Sequence, residues 1–503
     1  MEAGQLSNGS RGGDLSQDEL RLPVIVSGRR VEAEGDVFRL SYEGGFDVVL
    51  PTLTADDARG MVGSARQAGA ELRDLSIDDI TIFFDRVGQA WRSPENPWRR
   101  LALEWGTRVT GYARPFVEWD TNLIGVALMR AKQYDFLETD IGDPMLLDEW
   151  SATKAIYQRC WPKGLISHVM VGNVPMASLF TIYRSLITKN VTITKLPSRD
   201  PISALAFANC LHDVDPQHPV TQALSTLYWE AGTEVEDIVL SASDVVSVWG
   251  RSSAVEAVKQ RLPYGTELIE FGPKRSFTLV LEGVSDWEKV GLKMAYDVVG
   301  YDQEGCFSMQ EAFVQGGTDQ LVPALERALE SYAESFPRRA LTPDADAIIQ
   351  RARMEAVAEG WEIHGPDTTD WTIIVTDGPA QIVEHPLSRV IYVHPISDAA
   401  EVLPTIDRDV QTVALEPWDR VWGLADPLTA AGVDRIVQVG RMARFRPGFI
   451  HDGFHPMRRM VRWVAIERGL EQKYRFMSHS VEEDEQRIYY QGIRIAEEVG
   501  PSA

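Results

Sequence analysis

Short apolar runs alternate with helical periodicity through the middle of the chain. The helical stretches, with apolar positions three and four residues apart, cover residues 176–188, 202–211 and 253–260. The apolar runs between them cover residues 165–171, 191–196, 244–249, 268–271 and 277–281. Near-continuous apolar strands that alternate with helices are typical of parallel sheets covered on both faces. The pattern therefore predicts an α/β fold with doubly wound parallel sheets.

Different patterns flank this region. Ser76 and Asp79 have the spacing of a helix cap and precede an apolar helix face, and further helices are expected near 98–105 and 123–130. Earlier in the chain, β-rich segments with Gly-bearing turns predict strands at 22–26, 37–40 and 46–50. A second α/β region, from about 285 to 440, predicts strands at 372–376, 389–393, 412–415 and 435–439.

Composition narrows the class of protein. The 503 residues carry a net charge of −24, with 44% hydrophobic residues, which excludes a wholly disordered chain. The negative charge argues against nucleic acid or an anionic membrane as the main partner. No apolar run approaches the length of a membrane span, and residues 1–20 read as a polar disordered tail without a signal sequence. We expect a cytoplasmic enzyme.

Several well-known sites are not expected. The three cysteines, Cys160, Cys210 and Cys306, contain no CxxC pair, so neither a disulfide framework nor a zinc site is predicted and a reducing compartment is expected. The sequence lacks the Walker A, GxGxxG, GxSxG and HExxH motifs. The HDGFH segment, 451–455, has a glycine between its histidines, which favours a turn over a metal site. No metal is expected.

Cys306 is the first candidate for chemistry. It follows Gly305 and a polar, turn-like segment, and a helix is predicted over 307–315. A helix N-terminus lowers the pKa of a thiol, because free N–H groups and the helix dipole stabilise the thiolate. This placement favours a reactive nucleophile, although a buried, inert cysteine is the more common case.

Two further residues have the chemistry to assist a nucleophile. Glu270 ends an apolar strand, where a carboxylate is costly unless it is paired or functional, and a solvated strand end is the alternative. Asn173 follows a strand in a Gly-Asn-Val-Pro segment, where its amide can donate to an oxyanion or simply form a turn.

Polar residues after two other strands suit a cofactor. Lys195 ends one strand, where a cation can meet a ribose or phosphate but is more often solvated. Gly250 ends the next and, with Ser252, begins a helix, as a phosphate-contacting loop does; a plain turn is the alternative.

Taken in this order, the segments resemble the aldehyde dehydrogenase superfamily. In that pattern Asn173 corresponds to the oxyanion-hole asparagine, Lys195 to the ribose lysine and Gly250 to the strand-end glycine beside the cofactor. Glu270 corresponds to the glutamate of the Glu-Leu-Gly-Gly-Lys motif and Cys306 to the nucleophile. The local sequences GNVP, EFGPKRS and YDQEGCFS, together with HDG at 451–453, are similar to those of the LuxC-type acyl-CoA reductases. This resemblance extends from about residue 150 to residue 465.

The resemblance implies a fold, an activity and an assembly. It implies the two-lobed aldehyde dehydrogenase architecture, with a cofactor lobe over 100–271, a thiol-bearing lobe over 272–440 and a bridging segment over 441–503; residues 21–99 form an N-terminal β/helical segment. The implied reaction reduces a fatty acyl thioester, on coenzyme A or a carrier, to an aldehyde through an acyl-cysteine. A homo-oligomer is implied as well.

Several alternatives stay open. Glu270 can shuttle protons in a reductase or activate water, which keeps aldehyde oxidation to an acid in view. A Cys-dependent acyltransferase or thioesterase and an inactive acyl-binding scaffold are further alternatives. NADPH is expected rather than NADH, because Ser198 and Arg199 stand where NAD-preferring relatives often place an acidic residue, and a hydroxyl and a cation suit a 2′-phosphate.

Arginines cluster after residue 440, although the chain as a whole is acidic. Apolar residues at 457, 460, 461 and 464 have the spacing of one helix face, which leaves Arg458 and Arg462 on the polar side. Guanidinium groups bind phosphate in a bidentate way, so these arginines are candidates for contacting coenzyme A or a phosphopantetheine carrier. Salt bridges or a subunit contact are slightly favoured over that role.

Overall fold

A computed structural model describes residues 18–153, 156–380, 382, 384–444, 450–467 and 488. Most of the tail expected at 1–20 and most of the segment after 467 lie outside these residues. The strands of the described part are β1 Asp18–Arg21, β2 Val24–Val26, β3 Arg29–Val31, β4 Val37–Tyr42, β5 Phe46–Pro51, β6 Ser151–Ala152, β7 Ile156–Pro162, β8 Leu165–Val169, β9 Val191–Lys195, β10 Leu224–Leu227, β11 Val245–Trp249, β12 Glu267–Phe271, β13 Arg275–Val280, β14 Met309–Gln315, β15 Glu362–His364, β16 Thr372–Val375, β17 Val390–Ile396, β18 Val410–Glu416, β19 Arg435–Gln438 and β20 Val461–Glu467.

The helices lie between these strands as the alternating pattern predicts. They are α1 Ala55–Asp74, α2 Ile77–Arg92, α3 Pro97–Thr110, α4 Arg114–Ala127, α5 Arg130–Asp140, α6 Pro175–Ile187, α7 Pro201–Val214, α8 Pro219–Gln222, α9 Glu234–Ala242, α10 Ser252–Lys259, α11 Trp287–Val299, α12 Thr318–Ser335, α13 Pro343–Glu359, α14 Val421–Ala431 and α15 Pro456–Arg459. None of the described helices is long and apolar enough to cross a membrane.

Two seven-stranded sheets form the two lobes. The first has the order β12-β11-β8-β9-β10-β2-β3, and its strands β12 to β10 run parallel. The second has the order β15-β16-β17-β14-β13-β18-β19 and is parallel except at β15. The chain passes from one sheet to the other over residues 272–274. The α/β class and the doubly wound sheets predicted from the sequence are confirmed.

The N-terminal segment belongs to the first lobe. Strand β2 pairs with β10, and one hydrophobic core joins residues from Leu22 to Val239. Helix α2 begins after Ser76, whose hydroxyl accepts the backbone N–H of Asp79, and buries its apolar face in that core. Residues 21–99 therefore form one unit with the lobe expected at 100–271 and are not a separate segment.

A third sheet joins distant parts of the chain. Its order is β20-β7-β6, and β20 pairs antiparallel with β7 along the full length of both strands. The helix expected from the apolar spacing at 457–464 is wrong: α15 ends at Arg459, and the rest of that segment is β20. The pairing with β7 decides this, because a short apolar pattern suits either structure.

The helix expected over 307–315 is wrong as well. Met309–Gln315 forms β14, which lies between β13 and β17 in the middle of the second sheet. Six of its seven residues are buried, as expected for a central strand of a parallel sheet covered on both faces. Cys306 therefore precedes a strand and not the N-terminus of a helix.

Candidate active site

A cavity of about 680 Å³ lies between the two lobes, at the carboxyl ends of the strands of the first sheet. Its walls come from the loops that follow β8, β9, β11 and β12, from the loop that carries Cys306, and from residues 451 and 452. In this sheet β9 and β10 lie on one side of β8, and β11 and β12 lie on the other, so the strand order reverses at β8. Ligands of open α/β sheets bind at such a point.

Cys306 sits at the end of a strained loop. The three residues Tyr301, Asp302 and Gln303 have left-handed backbone angles, with φ of 53°, 46° and 65°. Residues other than glycine keep such a backbone conformation when surrounding contacts hold it, and strain of this kind clusters at active sites. Asp302 forms a buried ion pair with Arg389. The loop is thereby fixed where it presents the thiol to the cavity.

Two β-bulges shape the wall next to Cys306. On one side of Ser276 the pairing moves from Met309 directly to Glu311, and on the other side from Val410 directly to Thr412. The extra residues are Gln310 and Gln411. A bulge re-aims a side chain and frees backbone groups from the ladder. The Ser276 hydroxyl uses that freedom, since it donates to the Cys306 carbonyl at 2.8 Å and accepts the Thr412 N–H at 3.1 Å.

The thiol itself is surrounded by polar groups. The Gln411 amide nitrogen donates to the Cys306 sulfur at 3.1 Å and to Asp452 Oδ1 at 2.7 Å. Burial raises the pKa of Cys306 to about 12, and the charge of Asp452 adds to the rise, whereas Gln411 and Arg435 oppose it. The thiol pKa expected to be lowered by a helix is therefore raised, and the thiol needs a base to react at neutral pH.

Asn173 lies in the cavity wall beside this loop. Its side-chain nitrogen donates to the Glu304 carbonyl at 2.6 Å, two residues before Cys306. Its backbone carbonyl accepts the hydroxyl of Tyr112 at 2.8 Å. A primary amide carries two hydrogens, so the second can donate to a substrate oxygen while the first holds the loop. The structure thus brings Asn173 and Cys306 together at one surface.

Glu270 does not reach the cavity. The strand β12 turns Ile269 and Phe271 inward and Glu270 outward, as the alternation of a strand requires. The Glu270 carboxylate is half exposed and lies 3.6 Å from Lys259 on α10. Phe271 lines the cavity in its place. The sequence expectation that Glu270 contacts the reacting centre is wrong: Phe271 and Gly272 line the cavity, and Glu270 does not.

The residues expected to hold a cofactor lie at and after the ends of β9 and β11, where the first sheet forms one wall of the cavity (the cofactor wall). Lys195 and Ser198, after β9, both line the cavity, and the Lys195 ammonium donates to the buried Glu236 at 2.8 Å. Arg199 lines it too, but its guanidinium is paired with Glu304 at 2.6 Å, next to the nucleophile loop. Arg199 therefore links the loop after β9 to the loop of Cys306, which the sequence did not reveal.

The loop after β11 contributes one expected residue and one unexpected residue. Gly250 lines the cavity with φ of 151°, which a side chain rarely adopts. Ser252 does not line it, because it is the first residue of α10 and is exposed. Arg251 lines the cavity instead. Sequence reasoning missed Arg251, although its place directly after the strand-end glycine was a usable signal.

The unpaired groups of this wall suit a nucleotide. Arg199 Nη2, Trp229 Nε1 and Trp249 Nε1 are buried donors with no hydrogen-bond partner among the described residues, and all three side chains line the cavity. Orphaned buried donors are costly unless a ligand accepts from them. Ribose and phosphate oxygens are such acceptors, so the residues present fit a nicotinamide dinucleotide.

The arginines of the tail lie elsewhere. Arg458 is exposed and donates to the Asp140 carbonyl at 2.6 Å, and Arg462 is exposed on β20. Neither lines the cavity. Arg459 forms an ion pair with Glu267 at 2.5 Å. These contacts match the structural alternative for the tail arginines, and the structure does not bring Arg458 or Arg462 to the expected phosphate site. Within the described residues, no cluster of His, Cys, Asp or Glu has the geometry of a metal site.

Comparisons with known proteins agree on a family. The family described as acyl-CoA reductase (LuxC) matches residues 72–463. The chain is 32% identical over 455 residues to the long-chain acyl-protein thioester reductase of Vibrio harveyi, which covers 90% of this chain and 94% of that protein. It is 32% identical over 400 residues to the protein of the same name from Aliivibrio fischeri, which covers 78% of this chain and 83% of that protein.

Solved structures share the fold. Aldehyde dehydrogenase 21 from Physcomitrella patens has a TM-score of 0.70 at 14% identity and covers 90% of this chain and 99% of its own. The NADP-dependent glyceraldehyde-3-phosphate dehydrogenase from Bacillus halodurans, solved with NADP, has a TM-score of 0.69 at 15% identity, with 90% and 99% coverage. The two-lobed aldehyde dehydrogenase fold expected from the sequence is confirmed.

Proposed function

The chain belongs to the LuxC family of acyl-CoA reductases, and from that premise we propose that it reduces a long-chain acyl thioester to the aldehyde with NADPH, through an acyl group on Cys306. The observation that carries the proposal is the position of Cys306 in the cavity between the lobes, opposite the nucleotide-type donors of the first sheet. The names of its relatives, long-chain acyl-protein thioester reductases, support the substrate class.

The residues around Cys306 suit acyl transfer to sulfur. The thiolate attacks the acyl carbon, and the carbonyl oxygen becomes an oxyanion that the second N–H of Asn173 and the backbone N–H of Cys306 can stabilise. Collapse of that intermediate releases the carrier thiol and leaves an acyl-cysteine. A bound nicotinamide cofactor supplies the hydride for reduction. The resulting thiohemiacetal on Cys306 breaks down to the aldehyde and the free thiol.

The outward position of Glu270 favours reduction over hydrolysis. Oxidation of an aldehyde to an acid needs a base that activates water against the acyl-cysteine. Glu270 was the sequence candidate for that base, and it pairs with Lys259 outside the cavity. Phe271 and Phe307 line the cavity instead.

NADPH remains our proposal over NADH. Ser198, Lys195 and Arg251 are hydroxyl and cationic donors of the cofactor wall, and Arg199 Nη2 is a further buried donor there. A 2′-phosphate is a dianion with oxygen acceptors that these groups satisfy. Equal efficiency with NADH and NADPH would contradict this part of the proposal.

The proposed acyl donor is either acyl-CoA or an acylated protein. Arg458 and Arg462 are not assigned to the phosphates of the donor, because both lie outside the cavity.

We also propose a homo-oligomer built on the third sheet, where Trp463 and Ile466 of β20 are about half exposed. The two side chains point to opposite faces of β20, which is an edge strand of its sheet, and an edge strand with exposed apolar side chains is suited to pairing with another chain. The cytoplasmic location stays a prediction from the sequence.

One experiment tests the activity and the nucleophile together. Purified protein is given tetradecanoyl-CoA or a tetradecanoyl-protein thioester, with NADPH or NADH, and aldehyde is measured. Without a cofactor, a radiolabelled acyl group should remain on the protein and be removed by hydroxylamine. Cys306→Ala should abolish both label and aldehyde, whereas the matched change Cys210→Ala, at a buried thiol of α7, should preserve the label. Label that persists in Cys306→Ala, or acid in place of aldehyde, would overturn the proposal.

A further inference from the structure

A single amide connects the nucleophile to a carboxylate. The Gln411 nitrogen donates one hydrogen to the Cys306 sulfur and the other to Asp452 Oδ1, at 3.1 and 2.7 Å. The hydroxyl of Thr412 lies 3.4 Å from the Gln411 oxygen, which fixes the amide from its other end. Both Cys306 and Asp452 line the same cavity. The carboxylate therefore stands beside the thiol that must lose a proton.

The fold builds this arrangement from two special backbone positions. Gln411 is the extra residue of the β18 bulge, so its side chain turns out of the ladder toward Cys306. Asp452 and Gly453 have φ of 48° and 80°, and His451 and Phe454 exchange backbone hydrogen bonds across them. Positive φ at both central residues marks a type I′ turn, for which Asp-Gly is a preferred pair. The turn aims Asp452 at the cavity.

We propose that Asp452 is the general base for Cys306 and that Gln411 is the residue that positions it. This inference rests on the function proposed above. The S–H bond of Cys306 breaks and an O–H bond forms on Asp452, so the buried pair keeps one negative charge throughout. The Cys306 thiolate attacks the acyl carbon, the bond to the carrier sulfur breaks, and that sulfur takes the proton from Asp452. The carboxylate is then restored.

The distance suits a transfer through one water. Two acceptors on the same trigonal amide nitrogen lie roughly 5 Å apart, which a single water molecule bridges. Asp452 fills the role that Glu270 cannot fill from the outer face of β12.

The charges that face Asp452 leave it able to accept a proton near neutral pH. Burial raises the pKa of the Asp452 carboxyl to about 6, the Gln411 hydrogen bond and the charge of Lys274 lower it, and Asp434 raises it. His451 Nε2 lies 3.6 Å away, and burial holds the pKa of that imidazole well below its usual value, so the ring is neutral. Arg435 faces the thiol from the neighbouring strand and favours the thiolate.

Alkylation of Cys306 by iodoacetamide, followed against pH by intact mass, tests the base without any substrate. In the wild type the rate should rise near pH 6, where Asp452 ionises, and then level off, because one proton is shared by a coupled pair. In Asp452→Asn the rate at pH 7 should fall tenfold or more and should keep rising to pH 9. Asparagine tolerates the left-handed turn and still accepts from Gln411, so the fold is kept.

Two further variants make the result specific. Asp434→Asn removes a neighbouring carboxylate that faces Asp452 and lies 3.9 Å from Lys274, and it should retain the rise near pH 6. Gln411→Met removes the bridge and should reduce the rate at pH 7 several-fold. If Asp452 only repels the thiolate, Asp452→Asn will be alkylated faster at every pH, and the inference is wrong.

The acylation step separates this inference from the proposed function. Formation of the tetradecanoyl-enzyme from tetradecanoyl-CoA, measured by quenched-flow mass spectrometry, should show the same loss in Asp452→Asn. A wild type that is alkylated with the expected pH profile but never acylated would contradict the proposed function and leave the base in place. A normal acylation rate in Asp452→Asn would overturn the base itself.

Discussion

Ser276 shows how one side chain fixes Cys306, the proposed nucleophile. Its hydroxyl both donates to the Cys306 carbonyl and accepts from Thr412, so the backbone of Cys306 is tied to β18. Ser276 is buried, and these two bonds satisfy its hydroxyl as both donor and acceptor. The thiol is therefore held by its backbone from one side, while Gln411 contacts its sulfur from the other.

Glu270→Gln separates the position of this carboxylate from its place in the sequence. A general acid or base would lose about 10²–10⁴ in turnover on this change. Because the Glu270 carboxylate is half exposed and lies 3.6 Å from Lys259, outside the cavity, we expect turnover to change by less than about twofold. Steady-state aldehyde formation measures this, and Lys259→Gln is the matched control. A hundredfold loss in Glu270→Gln alone would show that the carboxylate reaches the thioester during turnover.

Two left-handed turns face each other beside the loop that carries Cys306. Residues 301–303 form one and residues 387–389 the other, all with positive φ. Asp302 and Arg389 join them through a buried ion pair, and the Ser388 N–H donates to the Asp302 carbonyl at 3.1 Å. The Gln303 amide donates to Val390 at 2.7 Å. Each turn is unfavourable alone, and the contacts between them hold both.

Arg389→Met should break this pair of turns. Both side chains of the pair are 3% exposed, so removal of the cation leaves the Asp302 charge buried without it. Breaking a buried pair in this way costs about 3–5 kcal/mol. We expect a clear loss in the urea midpoint and a large loss of turnover. The control Arg351→Met removes an exposed pair with Glu384, 2.6 Å apart, and should change the midpoint little. Equal effects of the two changes would contradict the role of the buried pair.

Contacts between the lobes make the stability of the whole molecule depend on pH. Asp120 on α4 of the first lobe accepts the hydroxyl of Tyr301 from the second. Burial raises the pKa of Asp120 to about 7, although the bond from Tyr301 acts to lower it. A carboxyl whose pKa is raised in the folded state stabilises the fold below its unfolded pKa, near 4, and that contribution is lost as the pH rises to about 7.

Asp120→Asn should remove this dependence. The amide oxygen still accepts from Tyr301 but cannot ionise. We expect the variant to gain stability relative to the wild type between pH 5 and pH 8, by about 1 to 4 kcal/mol. Urea unfolding of both proteins at the two pH values measures the difference. A constant difference, or one that shrinks as the pH rises, would contradict the raised pKa.

The proposed oligomer is tested at its exposed sheet. Trp463 on β20 is 43% exposed, and a lysine there should introduce a charge into the contact between subunits. We expect Trp463→Lys to shift the mass in light scattering to a smaller species. The control Trp422→Lys changes a tryptophan of α14 that is 88% exposed and should leave the mass unchanged. An unchanged mass in both variants would place the interface elsewhere or make the chain a monomer.

The sequence by itself determined the features that depend on local pattern. The strands β8, β9, β11 and β12, the cap at Ser76 and the turns before Asn173 and Cys306 could be predicted, because strand ends and caps depend on neighbouring residues, whereas β3 and β10 of the same sheet were not predicted. Tertiary structure decided the rest. Residues 309–315 form a strand because they pair with β13 on one side and with β17 on the other. The alternation of side chains along β12 turns Glu270 outward. Cys306, Gln411 and Asp452 come from segments far apart in the chain, so only packing of the sheets and a bulge brings them into contact.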